Sequence, residues 1–284
     1  MVGRIVSLLK LRIGVAIAAS ALAGMAATQG MAPSPGTAIL FALAVLGGAG
    51  AAGAFNHYYE RETDRRMMRT NGRPFASGAF GESRWWVVSF GVLLVASLLL
   101  AVVSGGMVAA LYVFLGAFVY GIVYTVWLKR RTVWNIVVGG LAGSFAVLAG
   151  AAVVNPAPQV TPIILAIVLF LWTPPHFWSL AAARREDYAA AGVPMLPVIA
   201  APRVWTLAIL LHTVTLALLS LVPLGYGLGP VYGLAAAAGG AYFIWRSWQL
   251  SLRPTPAAAA ANFKASLVQL SLLILGVAAD VAMR

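Results

Sequence analysis

The sequence predicts an all-α fold, a polytopic membrane protein of nine transmembrane helices forming one domain over residues 1–284. Three observations predict it. The chain is 62% apolar and only 9% charged, with a mean hydropathy of +0.92. A soluble domain of this length needs far more polar surface to cover itself. The apolar residues collect into nine runs of spanning length, and basic residues fall almost wholly in alternate connections.

The runs cover 12–30, 37–57, 85–104, 106–127, 134–154, 162–182, 204–224, 227–248 and 263–282. Arg4, Lys10 and Arg12 precede the first, which has no small-residue cleavage site after it and reads as a retained helix. The connections "GMAPSPG", "NPAPQVTP" and "GYGLGP" carry no charge. Six Arg lie between the second and third runs, and Lys129, Arg130 and Arg131 follow the fourth. Arg184, Arg185 and Arg203 follow the sixth, and Arg246, Arg253 and Lys264 follow the eighth. In all, 18 of 19 basic residues share one side, with Arg284 alone opposite. The positive-inside rule then puts the amino terminus in the cytoplasm and the carboxyl terminus outside.

Composition also excludes. Without cysteine there is no disulfide framework, thiolate metal site or Cys nucleophile. The net charge of +12 belongs to topology and anionic membrane lipid, with no nucleic acid partner expected. Six of the seven acids, Glu60, Glu62, Asp64, Glu82, Glu186 and Asp187, share the basic side, and Asp280 lies near the other end. Acids play little part in the positive-inside rule, so their gathering needs another reason. No acid sits mid-span, which weakens an ion-coupled transporter, although "LFLWTPPHFWS" could host a broken helix.

"FNHYYERETDRRMMRTNGRPFASG", residues 55–78, is the first candidate site. Asn56, Glu60 and Asp64 are spaced i, i+4, i+8 and share one helical face if the second span continues as helix. An amide and two carboxylates so stacked can hold a hard divalent cation such as Mg²⁺, which commonly completes its shell with substrate phosphate. Arg69 and Arg73 follow within reach of phosphate oxygens. A solvated loop laced with i,i+4 ion pairs would show the same spacing.

The second is "HFWSLAAARREDYAAAGVPMLP", where Glu186 and Asp187 emerge at the same membrane face. Two such clusters at one level suggest a shared site holding metal and diphosphate from two sides; a charged loop is the bland alternative. In "YGIVYTVWLKRRT", Lys129 and Arg130 end the fourth span with Tyr124 about one turn inside, as diphosphate donors or as topogenic charge. His176, after Thr173-Pro174-Pro175, is placed to satisfy a carbonyl freed by proline. His57 is assigned to the interface and His212 to a helix–helix hydrogen bond.

"NHYYERETDRRMMRTNGRP" resembles the first Asn/Asp-rich motif of the intramembrane UbiA-type prenyltransferase superfamily. "WTPPHFWSLAAARREDYAAAGVPMLPV" and "YTVWLKRRTVWNIVVGG" are more specific and resemble the protoheme IX farnesyltransferase (haem O synthase) family, over essentially the whole chain. That resemblance implies a UbiA-type bundle around a central cavity, in a bacterial-type plasma membrane, with the active site on the cytoplasmic side. It implies Mg²⁺-dependent transfer of farnesyl from farnesyl diphosphate to a vinyl group of haem B, with haem A synthase as a partner. It assigns Asn56, Glu60 and Asp64 to metal and diphosphate, and Asp187 with Glu186 to the second acidic site. Tyr124, Lys129, Arg130, Arg69 and Arg73 then contact diphosphate, and a haem acceptor makes a contact to its iron the alternative role for His176. The chain departs from the pattern in four places. Glu60 stands where Asp is usual, Leu11 where a Pro separates the two bases, Ala146-Val147 where Pro-Pro is common, and Ala191 where a second Asp often follows. The competing classes are a related prenyltransferase with another acceptor, and a haem carrier or transporter that needs no Asn56/Glu60/Asp64 face.

Overall fold

The computed structural model describes residues 2–284, and among them every regular element is helical. A short α1 (Val2–Leu8) is followed by α2 (Leu11–Ala26), α3 (Pro35–Tyr59) and one further turn, α4 (Arg61–Asp64). A 19-residue connection leads to α5 (Arg84–Phe118), which runs on as a π-helix over Val119–Leu128. After α6 (Asn135–Gly139) come α7 (Leu141–Val154), α8 (Val160–Ala183) and the short α9 (Arg185–Ala190) and α10 (Leu196–Ile199). The chain ends with α11 (Pro202–Leu219), a 3₁₀ turn, α12 (Pro230–Leu252) and α13 (Pro256–Ala282).

Among the described residues, six helices are long and apolar enough to cross a membrane. That is fewer than the nine runs expected, for identifiable reasons. Arg84–Leu128 merges two expected spans into 45 residues, about 67 Å of helix, or twice a hydrocarbon core. It breaks at Gly106, whose φ of 82° a side chain would resist. Leu11–Ala26 has only sixteen residues, and the Gly/Ala-rich α12 with Arg246 inside it is not among the six. The proline-rich "WTPPHFW" does not break α8, which continues through Pro174 and Pro175. Thr173 and Ser179 hydroxyls bond back to the Leu169 and Pro175 carbonyls across this stretch.

The helices form two packed halves. In one, α2, α3, α5 and α7 surround Phe41, Val45, Ala101 and Ala149. In the other, α8, α11, α12 and α13 surround Leu216, Tyr232, Phe243 and Leu273. The halves meet where α7 packs on α8 and α2 on α13. Burial of apolar surface drives little inside lipid, so close backbone approach has to hold such helices. It is closest where α2 crosses α7. A Cβ on Gly150 would lie 1.7 Å from the Ala21 carbonyl oxygen, and one on Gly24 would lie 2.1 Å from that of Val147. Ala146 and Val147, at the departure from the Pro-Pro pattern, are buried inside α7 beside this crossing.

At one end of the bundle, Asp280 of α13 accepts from the backbone N–H of Gly229 at 2.8 Å and of Tyr232 at 3.4 Å, and pairs with Arg284. It therefore caps the first turn of α12. At the other end gather the charged connections, over residues 60–83, 129–134 and 184–195.

Candidate active site

α3 ends at Tyr59, and Glu60 departs from helical backbone (φ −92°, ψ 5°) before α4 resumes. The expected continuous helix is therefore interrupted. The i→i+4 ladder nevertheless persists, Glu60 N–H to Asn56 at 3.0 Å and Asp64 N–H to Glu60 at 2.8 Å. Asn56, Glu60 and Asp64 stay together and are all buried, 2%, 1% and 2% exposed. Burial of three such groups is what a solvated loop would not show.

Each of the three is held by a base. Lys10 Nζ donates to Asn56 Oδ1 at 2.6 Å and to the Tyr120 hydroxyl at 2.8 Å. Lys129 pairs with Glu60 Oε2, and Arg73 Nη1 donates to Asp64 Oδ2 at 2.7 Å. The Asn56 amide donates to Glu60 Oε2 at 2.9 Å and Thr125 Oγ1 at 3.0 Å, tying α3 to the π-helix. Glu60 Oε1 is fully buried with no hydrogen-bond partner among the described residues. Burial pushes the Glu60 carboxyl up, but Lys129, Lys10 and Asn56 together outweigh it and hold it below the ordinary carboxylate range. Burial, then the charges of Arg73 and Lys129, drive Lys10 well below the usual lysine value.

The π-helix makes this meeting possible. With 3.6 residues per turn, Tyr120 and Lys129 would point to opposite sides. Winding at about 4.4 residues per turn brings them within about 20° of one another. Tyr120, Tyr124, Thr125 and Lys129 accordingly share a face, with Tyr120 stacked on Tyr124 at 5.8 Å and Lys129 over the Tyr124 ring at 5.7 Å. Lys129 N–H bonds to the Tyr124 carbonyl, five residues back, at 2.9 Å.

Most of these groups form the polar mouth of a cavity of about 440 Å³, with Glu60 and Thr125 buried behind its lining. Lys10, Asn56, His57, Asp64, Arg69, Arg73, Tyr120, Tyr124 and Lys129 line the mouth. Ile13, Ile17, Val45, Val113, Ala146, Phe177 and Leu180 line its apolar depth. The second charged connection does reach the first. Tyr188 lines the cavity and packs in one cluster with Met67, and Asp187 Oδ1 accepts from the Met68 N–H at 3.3 Å.

Other expected site residues lie elsewhere. Glu186 is exposed and lines no cavity, because consecutive residues of α9 point about 100° apart and Asp187 takes the inward direction. Arg130 is also turned away, over the Tyr59 ring at 5.6 Å and 3.3 Å from Thr63 Oγ1. His176 does not face the cavity. Its Nδ1 lies 2.7 Å from Ser266 Oγ, and its ring stacks between Trp172 and Phe263 at 4.1 and 4.5 Å. That makes it a helix–helix contact between α8 and α13, and neither the freed carbonyl nor a haem in the cavity is its partner here. His212 bonds within its own helix, to the Ala208 carbonyl at 2.8 Å. His57, expected at the interface, is 3% exposed and lines the cavity.

Sequence reasoning missed Lys10, Tyr120 and Thr125. Lys10 reads as one topogenic base among many. Its backbone is left-handed (φ 49°, ψ 41°), turning the chain between α1 and α2 so that the ammonium enters the cavity. A proline at 11 would push residue 10 toward extended backbone, so the Leu11 departure was the available signal.

Among the described residues no three His or acidic side chains converge as a ready metal centre. The available donors are the Asn56 amide and two carboxylates. All are hard oxygens, and the orphaned Glu60 Oε1 is the atom a hard cation would satisfy.

The model of the UbiA prenyltransferase family matches residues 17–273. Protoheme IX farnesyltransferase 2 of Paramagnetospirillum magneticum is 55% identical over 95% of this chain and 94% of its own. Protoheme IX farnesyltransferase 1 of the same organism is 46% identical over 97% of each. Among solved structures, a digeranylgeranylglyceryl phosphate synthase superposes with a TM-score of 0.81 at 16% identity, over 100% of this chain and 99% of the other. A UbiA homolog from Archaeoglobus fulgidus bound to GPP and Mg²⁺ superposes with a TM-score of 0.71 at 16% identity, over 94% and 99%. At such identity the likeness concerns the fold.

Proposed function

The chain belongs to the UbiA prenyltransferase family, and from that premise we propose that it transfers farnesyl from farnesyl diphosphate to a vinyl group of haem B, giving haem O and diphosphate. The whole chain, 1–284, acts as one catalytic domain in this reading. The observation that carries it is the cavity itself, with base-paired Asn56 and Asp64 at a polar mouth above an apolar chamber and Glu60 buried behind them on Lys129. The haem acceptor rests on the relatives' names, and Mg²⁺ on the donor set together with the Mg²⁺-bound homolog.

Asn56, Glu60 and Asp64 would hold the cation, with Asp187 positioning the Met68–Arg69 backbone beside them. Glu186 and Arg130 are left out, since both face away. When bound, Mg²⁺ supplies positive charge that stabilises the departing diphosphate. Lys129, Arg73 and Arg69 hold diphosphate oxygens and take up charge as the farnesyl C1–O bond breaks. Tyr120 and Tyr124 present ring faces beside the mouth, where an allylic cation gains cation–π stabilisation. The apolar depth excludes water while C1 bonds to the terminal vinyl carbon. Water then adds at the inner vinyl carbon, forming the hydroxyl and releasing a proton. The bases mark the cytoplasmic face by the positive-inside rule, which puts the mouth there.

The test is a membrane assay with haem B, farnesyl diphosphate and Mg²⁺, with and without EDTA, read by mass. A metal-dependent gain of one hydrated farnesyl group is expected. Folded protein giving no product from haem B, yet prenylating another acceptor, overturns the acceptor assignment.

A further inference from the structure

Resting on that reading, we propose that Lys10 is a displaceable internal counterion: its ammonium sits on the Asn56 oxygen that a divalent cation needs, and it leaves for diphosphate, so that metal binds well only together with diphosphate.

The geometry is specific. Asn56 has one acceptor oxygen, and Lys10 Nζ is on it at 2.6 Å. The Asn56 amide nitrogen is committed to Glu60 and Thr125, so the side chain cannot turn over to carry that oxygen away from Lys10 without breaking both bonds. The second lone pair of that oxygen would set a divalent ion directly against the Lys10 ammonium, so Lys10 has to move for Asn56 to ligate well. It has somewhere to go. Its stem lies over Gly53, where a Cβ would come within 3.3 Å of Lys10 Cδ, and its head already lines the open cavity beside Arg69 and Arg73. A diphosphate in the mouth offers the displaced ammonium anionic oxygens, a better partner than an amide. With no diphosphate, a divalent ion would have to enter beside the uncompensated charge it displaces. Lys129 on Glu60 and Arg73 on Asp64 repeat the arrangement at the other two donors. Lys10 differs in being anchored by no carboxylate, only by two neutral groups, Asn56 and Tyr120.

The experiment measures Mn²⁺ binding by electron paramagnetic resonance on the purified full chain, without haem or prenyl donor, with and without inorganic pyrophosphate. Removing a charge-assisted hydrogen bond that competes with the metal should tighten Mn²⁺ binding about tenfold or more. Lys10→Met and Lys10→Gln are therefore expected to bind Mn²⁺ that much more tightly than wild type when pyrophosphate is absent, and to gain less on its addition. Lys10→Arg, which keeps the charge, should bind as weakly as wild type. A purely structural Lys10 would leave metal affinity alone, so neutral variants that bind Mn²⁺ like wild type overturn the proposal. Should both neutral variants fail to fold, wild type decides, because micromolar Mn²⁺ affinity without pyrophosphate also overturns it. Asp64→Asn should abolish Mn²⁺ binding in every background. The farnesyl-transfer reading is judged separately, by the product assay.

Discussion

Lys129→Met isolates the most buried ion pair at the mouth. The Glu60 side chain is 1% exposed and that of Lys129 15%, and Lys129 is the only cation bonded to Glu60 among the described residues. Methionine keeps the stem's volume but removes the charge. Glu60 would then keep one hydrogen bond, from Asn56, while Oε1 stays unpartnered. Breaking a buried pair from one side costs about 3–5 kcal/mol, because the remaining charge is stranded. The thermal unfolding midpoint in detergent should fall by several degrees in metal-free buffer. Adding Mg²⁺ should recover part of the loss, since a cation can take the vacated carboxylate. The double variant Lys129→Met/Glu60→Gln should be more stable than the single one, with no recovery on adding Mg²⁺. In transfer assays Lys129→Met should raise KM for the prenyl diphosphate more than for haem. Equal midpoints for wild type and Lys129→Met, or a defect confined to haem binding, would refute the reasoning.

Asp64→Asn should abolish transfer while leaving insertion intact, with a smaller fall in midpoint than Lys129→Met because the amide oxygen can still accept from Arg73; retained turnover would count against Asp64 as a metal donor. Gly150→Ala places a methyl 1.7 Å from the Ala21 carbonyl oxygen, so α2 and α7 must part by more than an ångström. Overpacking of this kind costs about 1–3 kcal/mol or more, which should appear as a lower midpoint. His176→Ala should lower stability and leave haem B affinity unchanged in a spectral titration, because its ring is spent on Trp172, Phe263 and Ser266. Glu60 also sets a pH dependence. Its folded pKa is depressed, so its contribution is full above the ordinary carboxylate value and drains away as pH falls below it. Acid unfolding of Glu60→Gln should therefore be less steep than that of wild type over that acidic window.

How much of this was legible in the sequence differs from residue to residue. Asn56, Glu60 and Asp64 could be read because i, i+4 spacing survives a local break in helix geometry as long as the backbone ladder holds. The meeting of the two charged connections was legible as well, since acids on one face have no topogenic role. Lys129 could be read as a base ending its span, but its meeting with Tyr120 could not, because any 3.6-residue template puts them half a turn apart and nothing in "VYGIVYTVWL" announces wider winding. Glu186 and Arg130 were misplaced for a related reason. Adjacent charges look equivalent in a string, but on a helix only one of two neighbours can face inward. Lys10 was hidden by its surroundings, as a base near a span is expected for orientation alone.

Asp280 has a consequence for how the chain is made. It follows Gly229, whose N–H it accepts, by 51 residues. During synthesis α12 therefore enters the bilayer before its cap exists. The first-turn N–H groups of α12 must borrow partners from water or headgroups at the membrane surface until α13 arrives, because hydrocarbon offers none. Gly229 leaves room for the late arrival, since a Cβ there would meet Asp280 Oδ1 at 2.6 Å. The last two helices are thus completed as a hairpin, and α12 cannot settle to its final depth on its own.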